Sequence, residues 1–141
     1  MSDKSKGSII VVDDDESIRR AMYTILRNEG YEVMAALNGR DALEVTSRRK
    51  FDLMFLDIMM PGFNGQDVLT LMRASRPEMP IVMITAFNDP KLKDQAMRLG
   101  AHDFVTKPFD MKDIVRLADS IIRSGEEKEE VAEVSETDAG A

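Results

Sequence analysis

The feature that most constrains this chain is an alternation. From residue 8 to residue 125, short and nearly continuous apolar runs take turns with longer stretches of helical periodicity. Four of the runs close on polar residues: Ile9–Asp15 (IIVVDDD), Phe51–Asp57 (FDLMFLD), Ile81–Thr85 (IVMIT) and Asp103–Lys107 (DFVTK). Strands that are apolar throughout must be covered on both faces, and strands separated by helices pair in parallel through right-handed crossovers. The pattern therefore predicts an α/β fold, a five-stranded doubly wound parallel sheet in the flavodoxin-like order 2-1-3-4-5. Ligands of such sheets sit outside the carboxyl ends of the strands, so the polar ends converge on one pocket.

The intervening stretches supply five helices. Ile18, Ala21, Met22, Ile25 and Leu26 fall at helical spacing, with Asp15 and Glu16 ahead of them and Gly30 as a stop. A second strand over Tyr31–Leu37 leads to Asn38, an N-cap for a short helix carrying Ala42, Leu43 and Thr46. Val68, Leu69, Leu71 and Met72 mark a third helix, after the loop Met60-Pro61-Gly62-Phe63-Asn64-Gly65. Asp89-Pro90 opens a fourth that ends at Gly100 and offers mainly Leu92, Ala96, Met97 and Leu99, so it is expected to be loosely held. The fifth follows Asp110, buries Ile114, Leu117, Ala118, Ile121 and Ile122, and has Gly125 beyond it as a stop.

A length of 141 residues suits one domain, expected over residues 8–125 between a short disordered N-terminus (1–7) and an acidic tail (126–141). The net charge of −7 belongs mostly to that tail, whose seven acids and one lysine leave only −1 for the rest. A segment so polar and without aromatics is expected to be disordered, as a solvating tail, an interaction arm or a linker. The absence of cysteine excludes a disulfide framework, a thiolate metal site and a cysteine nucleophile. No apolar run approaches a membrane span and none precedes the first strand as a signal segment, so the expected setting is cytoplasmic, with no membrane contact. Basic residues are not interleaved with aromatics and no glycine-rich nucleotide fingerprint occurs, which leaves nucleic-acid binding by this domain without support.

The polar ends bring together three carboxylates, a hydroxyl and an ammonium. Crowded carboxylates need a cation, and hard oxygen ligands suit Mg²⁺, which binds through few carboxylates and keeps several waters. Lys107 adds a compact positive charge and Thr85 a hydroxyl donor, the groups that stabilise the oxygens of a transferring phosphoryl group. A carboxylate facing them is a candidate nucleophile that would form an acyl phosphate.

In these residues the chain resembles the receiver domain of two-component response regulators, over about Ser8 to Ser124. The resemblance rests on Asp13-Asp14 after the first strand, Asp57 after the third and the Met60-Pro61-Gly62 turn. Thr85-Ala86 after the fourth strand and Lys107-Pro108-Phe109 after the fifth complete it. It implies a phosphoacceptor signalling domain, not an enzyme with its own substrate, which assists its own phosphorylation and dephosphorylation. Asp57 would take a phosphoryl group from a sensor histidine kinase or a histidine phosphotransfer protein. Asp14 would bind Mg²⁺ directly and Asp13 chiefly through water, with Asp57 and the backbone carbonyl of Met59 completing the protein ligands. Thr85 and Lys107 would contact the phosphoryl oxygens, Phe104 would act as a rotamer switch, and the Lys107-Pro108 bond would be cis. Met59 and Phe87, two residues beyond Asp57 and Thr85, are apolar and are expected to obstruct water and prolong the acyl phosphate.

Blander roles compete for the same residues. A strand-ending aspartate is often a helix cap, the role assigned to Asp15, and Phe104 could simply pack. His102, the one histidine, is expected to be structural or solvated, and the eleven methionines to fill the core. Two alternatives to a phosphorylated receiver are a hydrolase with an aspartyl-phosphate intermediate and a pseudo-receiver that binds without phosphorylation. The hydrolase would need a cap insertion and an acid two residues beyond the nucleophile, where Met59 stands. The output is expected to be a downstream protein target or an output domain outside this chain, from a monomer or a phosphorylation-promoted dimer.

Overall fold

The computed structural model describes residues 5–60 and 63–140. Five parallel strands, β1 (Ser8–Val12), β2 (Glu32–Ala36), β3 (Leu53–Asp57), β4 (Ile81–Thr85) and β5 (Asp103–Thr106), form one sheet in the order β2-β1-β3-β4-β5. Five helices alternate with them: α1 (Glu16–Asn28), α2 (Gly39–Arg48), α3 (Gly65–Ser75), α4 (Pro90–Arg98) and α5 (Met111–Gly140). This is the predicted topology. A short antiparallel ribbon, Met59–Met60 with Phe63–Asn64, also leads from β3 into α3.

Alternate strand residues face opposite ways and so divide the core in two. Ile10, Val12, Met54, Leu56, Ile81 and Met83 pack under α2, α3 and the Ala96 of α4. Ile9, Val11, Leu53, Phe55, Val82 and Ile84 pack under Met22 and Leu26 of α1 and the stripe Ile114, Ala118, Ile121 and Ile122 of α5. Both faces of the sheet are thus closed, which is why the strands read as unbroken apolar runs.

Helix starts follow the side chains that can take up their unpaired N–H groups. Asp15, Asn38, Asn64 and Asp89 each accept such a bond, and Asp110 accepts the N–H of Lys112. At the far ends, Gly30 and Gly100 take φ of 106° and 105°, a region that side chains other than glycine rarely enter. The fourth helix matches its sparse sequence: only Ala96 is wholly buried, while Met97 and Leu99 are 41% and 37% exposed. The expected stop at Gly125 is corrected. α5 continues through Gly125 to Gly140. Glycine inside a helix costs only about 1 kcal/mol, and the Glu, Lys and Ala that follow favour helix.

Candidate functional site

The sheet order makes β1 and β3 neighbours, with Val12 opposite Leu56, so the residues that end them come side by side. Asp13 follows Val12, donates its N–H to the Ala36 carbonyl at 3.2 Å and is fully buried. Asp57 ends β3 at 4% exposure, and Thr85 ends β4 fully buried. Asp14 is exposed. One carboxylate oxygen from each of Asp13, Asp14 and Asp57 can be chosen so that all three lie within 4.8 Å of one another.

Lys107 reaches this cluster from the end of β5, where its N–H donates to the Thr85 carbonyl at 2.7 Å. Its Nζ stands 3.1 Å from Oδ2 of Asp13 and 3.3 Å from Oδ2 of Asp57. Burial discourages the charge of Lys107, but its close approach to the carboxylates of Asp13 and Asp57 overrides this and raises the pKa above its ordinary 10.5. The ammonium donates a hydrogen bond to Asp57, whereas its approach to Asp13 is an ion pair that leaves Oδ2 without an aligned donor. One cation against three carboxylates leaves a double negative charge around a buried oxygen, a donor set that fits a hard divalent cation.

The surroundings keep the cluster in place. Oδ1 of Asp13 accepts the Asp15 N–H at 2.9 Å, and Nη1 of Arg19 donates to the Asp13 carbonyl at 2.9 Å. Oγ1 of Thr85 accepts the Phe87 N–H at 3.1 Å. The Lys107-Pro108 peptide is cis, as the sequence resemblance implied.

Other predicted residues lie around this centre. Phe104 is half-buried and packs against the core layer under α2 and α3, and Phe87 is 53% exposed. The backbone of Met59 pairs with Asn64 in the ribbon, while the Met59 side chain and the Pro61-Gly62 turn lie outside the described residues. His102 is exposed, with its N–H donated to the Ile81 carbonyl at 2.8 Å. Sequence reasoning missed Gly65. Its N–H donates to the Ile58 carbonyl at 2.9 Å, and a Cβ there would come within 2.5 Å of Ile58 Cα and 2.7 Å of the Asp57 carbonyl oxygen. The start of α3 therefore lies directly against the backbone that carries Asp57. The signal was available in the glycine that follows the cap residue Asn64.

Comparison with known proteins agrees with this geometry. The sequence profile of the response regulator receiver domain matches residues 9–119. The sensory transduction protein RegX3 of Mycobacterium tuberculosis (strain ATCC 25618 / H37Rv) is 35% identical over 118 residues, covering 84% of this chain and 52% of that protein. The chain thus spans about half the length of such relatives. Among solved structures, NtrX from Brucella abortus in complex with ATP superposes with a TM-score of 0.85 at 33% identity, over 92% of this chain and 30% of NtrX. A CheY-like receiver domain protein from Methanospirillum hungatei JF-1 superposes with a TM-score of 0.82 at 27% identity, over 86% of this chain and 97% of the other.

Proposed function

Because this chain belongs to the response regulator receiver domain family, a family of signalling domains, we propose that Asp57 is its phosphoacceptor and that the surrounding cluster is the phosphoryl-transfer site. The observation that carries this reading is the Lys107 ammonium between the buried carboxylates of Asp13 and Asp57. In the reaction a carboxylate oxygen of Asp57 attacks the phosphorus of a phosphohistidine on a histidine kinase or phosphotransfer protein. The P–N bond breaks, its electron pair leaves on the imidazole nitrogen, and an acyl phosphate remains on Asp57. Lys107 and the Thr85 hydroxyl then meet the new oxygens.

The metal would be Mg²⁺, held by Asp14 directly, by Asp13 chiefly through water, and by Asp57 and the Met59 carbonyl. It would neutralise the charge that gathers on the phosphoryl oxygens. Thr85 is drawn toward the phosphoryl group, Phe104 changes rotamer, and β5, α4 and α5 shift to change affinity for a target or an output domain. The transcriptional and sensory names of the relatives support an output domain within a longer protein, and the setting is cytoplasmic. Acetyl phosphate with Mg²⁺ should label the chain, whereas Asp57→Asn should abolish labelling and chelation of Mg²⁺ should suppress it. Equal labelling of parent and variant would place the acceptor elsewhere.

Phe87 and Met59, the apolar residues two positions beyond Thr85 and Asp57 in the sequence, slow hydrolysis of the acyl phosphate by obstructing in-line water. Replacing both with small polar residues should shorten the phosphoryl lifetime, which a dephosphorylation time course measures; an unchanged lifetime would remove them from this role.

A further inference from the structure

Two arginines stand side by side near the start of α1, and they are used differently. Arg20 pairs with Glu16 one turn back at 3.5 Å, and both side chains are exposed. Arg19 is half-buried and turns its Nη1 onto the main-chain carbonyl of Asp13 at 2.9 Å. A long charged side chain that ordinarily keeps its head in water is thus committed to the backbone of a buried acid.

This bond closes a ring. Oδ1 of Asp13 accepts the Asp15 N–H at 2.9 Å, and Oδ1 of Asp15 accepts the N–H groups of Ser17 and Ile18 at 2.9 and 3.2 Å. The Asp15 carbonyl accepts the Arg19 N–H at 2.9 Å, and the Arg19 side chain returns to Asp13. Since the Asp13 N–H also donates to the Ala36 carbonyl, both Asp13 and Asp15 are held through N–H, carbonyl and carboxylate. Asp14, the exposed carboxylate of the acidic cluster, is the residue between them. The Asp13 oxygen outside this ring is Oδ2, which faces Lys107.

We propose that Arg19 is a positioning residue of the metal site: it closes the turn from β1 to α1 so that Asp13 and Asp14 stand ready for a divalent cation before it arrives. The proposal rests on the reading of the acidic cluster as a Mg²⁺ site. A turn fixed in advance loses little freedom on binding, and groups that orient metal ligands without touching the metal are commonly worth about 10- to 100-fold in affinity. Charge acts in the opposite direction. A guanidinium beside the cluster repels a second cation, so through charge alone its removal would tighten Mg²⁺ binding. The sign of the change therefore separates position from charge.

Amide NMR titration with Mg²⁺, following residues 13–15 of the folded chain, tests this role. Arg19→Met keeps the apolar stem but removes donor and charge, and should weaken Mg²⁺ about tenfold. Arg19→Lys keeps the charge and a donor on a stem of similar length, and should restore most of the affinity, because one bond rather than a bidentate fork is at stake. Arg19→Gln is too short to reach the same carbonyl and should be as weak as Arg19→Met; it decides the matter if Arg19→Met does not fold. Affinity in the uncharged variants equal to that of the wild type would make Arg19 part of the scaffold alone, and a tighter one would leave it only its charge. Either result overturns the proposal, as does an Arg19→Lys variant no stronger than Arg19→Met. A wild type that binds no Mg²⁺, or binds it as well after Asp14→Asn, overturns the metal reading itself and the proposal with it.

Discussion

At the scale of single residues, Lys107 governs both the charge and the stability of the site. Its folded pKa is raised, so the stability it contributes is complete below its ordinary 10.5 and is lost as pH rises through the higher folded value. Lys107→Met would leave the buried carboxylates of Asp13 and Asp57 facing each other without a cation. A loss of about 3 kcal/mol is expected in the metal-free protein. Mg²⁺ can take over that neutralisation, so its addition should raise the melting temperature of the variant more than that of the wild type. Thermal melts with and without Mg²⁺ read both effects, and equal gains would mean that the carboxylates do not depend on Lys107. The polar positions themselves were legible in the sequence because each ends an apolar run. Their burial was not: Asp13 and Asp14 are adjacent acids after one strand, yet the first is fully buried and the second exposed. Only the turn toward α1, with Asp15 and Arg19 tied to Asp13, sends one carboxylate inward.

At the scale of elements, the sequence specified all five sheet strands and the starts of the helices, because periodicity and capping are local. It was least informative where local chemistry is ambiguous. Gly125 reads as a helix terminator, since glycine commonly ends helices in the left-handed region, yet it takes no positive φ and α5 passes through it. The two situations give opposite signs for one substitution. At a left-handed cap Gly125→Ala would be strained. Inside a helix with nothing within 4 Å of the added Cβ, it should stabilise by about 0.5–1 kcal/mol. Denaturant titration distinguishes them, and a destabilised variant would restore Gly125 as the end of α5. The ribbon after β3 was equally hidden, because strands of two residues leave no period to read. It leads into Gly65, where a Cβ would come within 2.7 Å of the Asp57 carbonyl oxygen.

At the scale of the whole molecule, chemistry and anchorage occupy opposite ends of the sheet. The acidic cluster lies at the carboxyl ends of the strands, while a separate polar cluster at their amino ends ties three distant segments together. Tyr31, 4% exposed, donates its hydroxyl to Asp119 of α5, and Lys6 lies 3.0 Å from the same carboxylate and 4.9 Å from the centre of the Tyr31 ring. Nothing in the sequence marks this cluster, since its members are 25 to 113 residues apart and each alone is an ordinary surface or core residue. Asp119→Ala would strand a buried phenol and should cost about 2 kcal/mol. It should leave the rate of Asp57 labelling unchanged, because no member of the cluster belongs to the acidic site. The pH dependence gives a second readout. Burial pushes the Asp119 carboxyl up, but the Tyr31 and Lys6 hydrogen bonds, with the charges of Lys6 and Arg123, bring it below its ordinary 3.8. The stability it supplies is therefore present above pH 3.8 and lost as pH falls through the lower folded value. Tyr31, raised by burial and then by Asp119, stays protonated throughout that range and adds no slope of its own. The stability gap between wild type and Asp119→Ala should accordingly be constant near neutrality and narrow below pH 3.8. A gap that persists undiminished in acid would assign the loss to packing around Tyr31 rather than to the carboxylate.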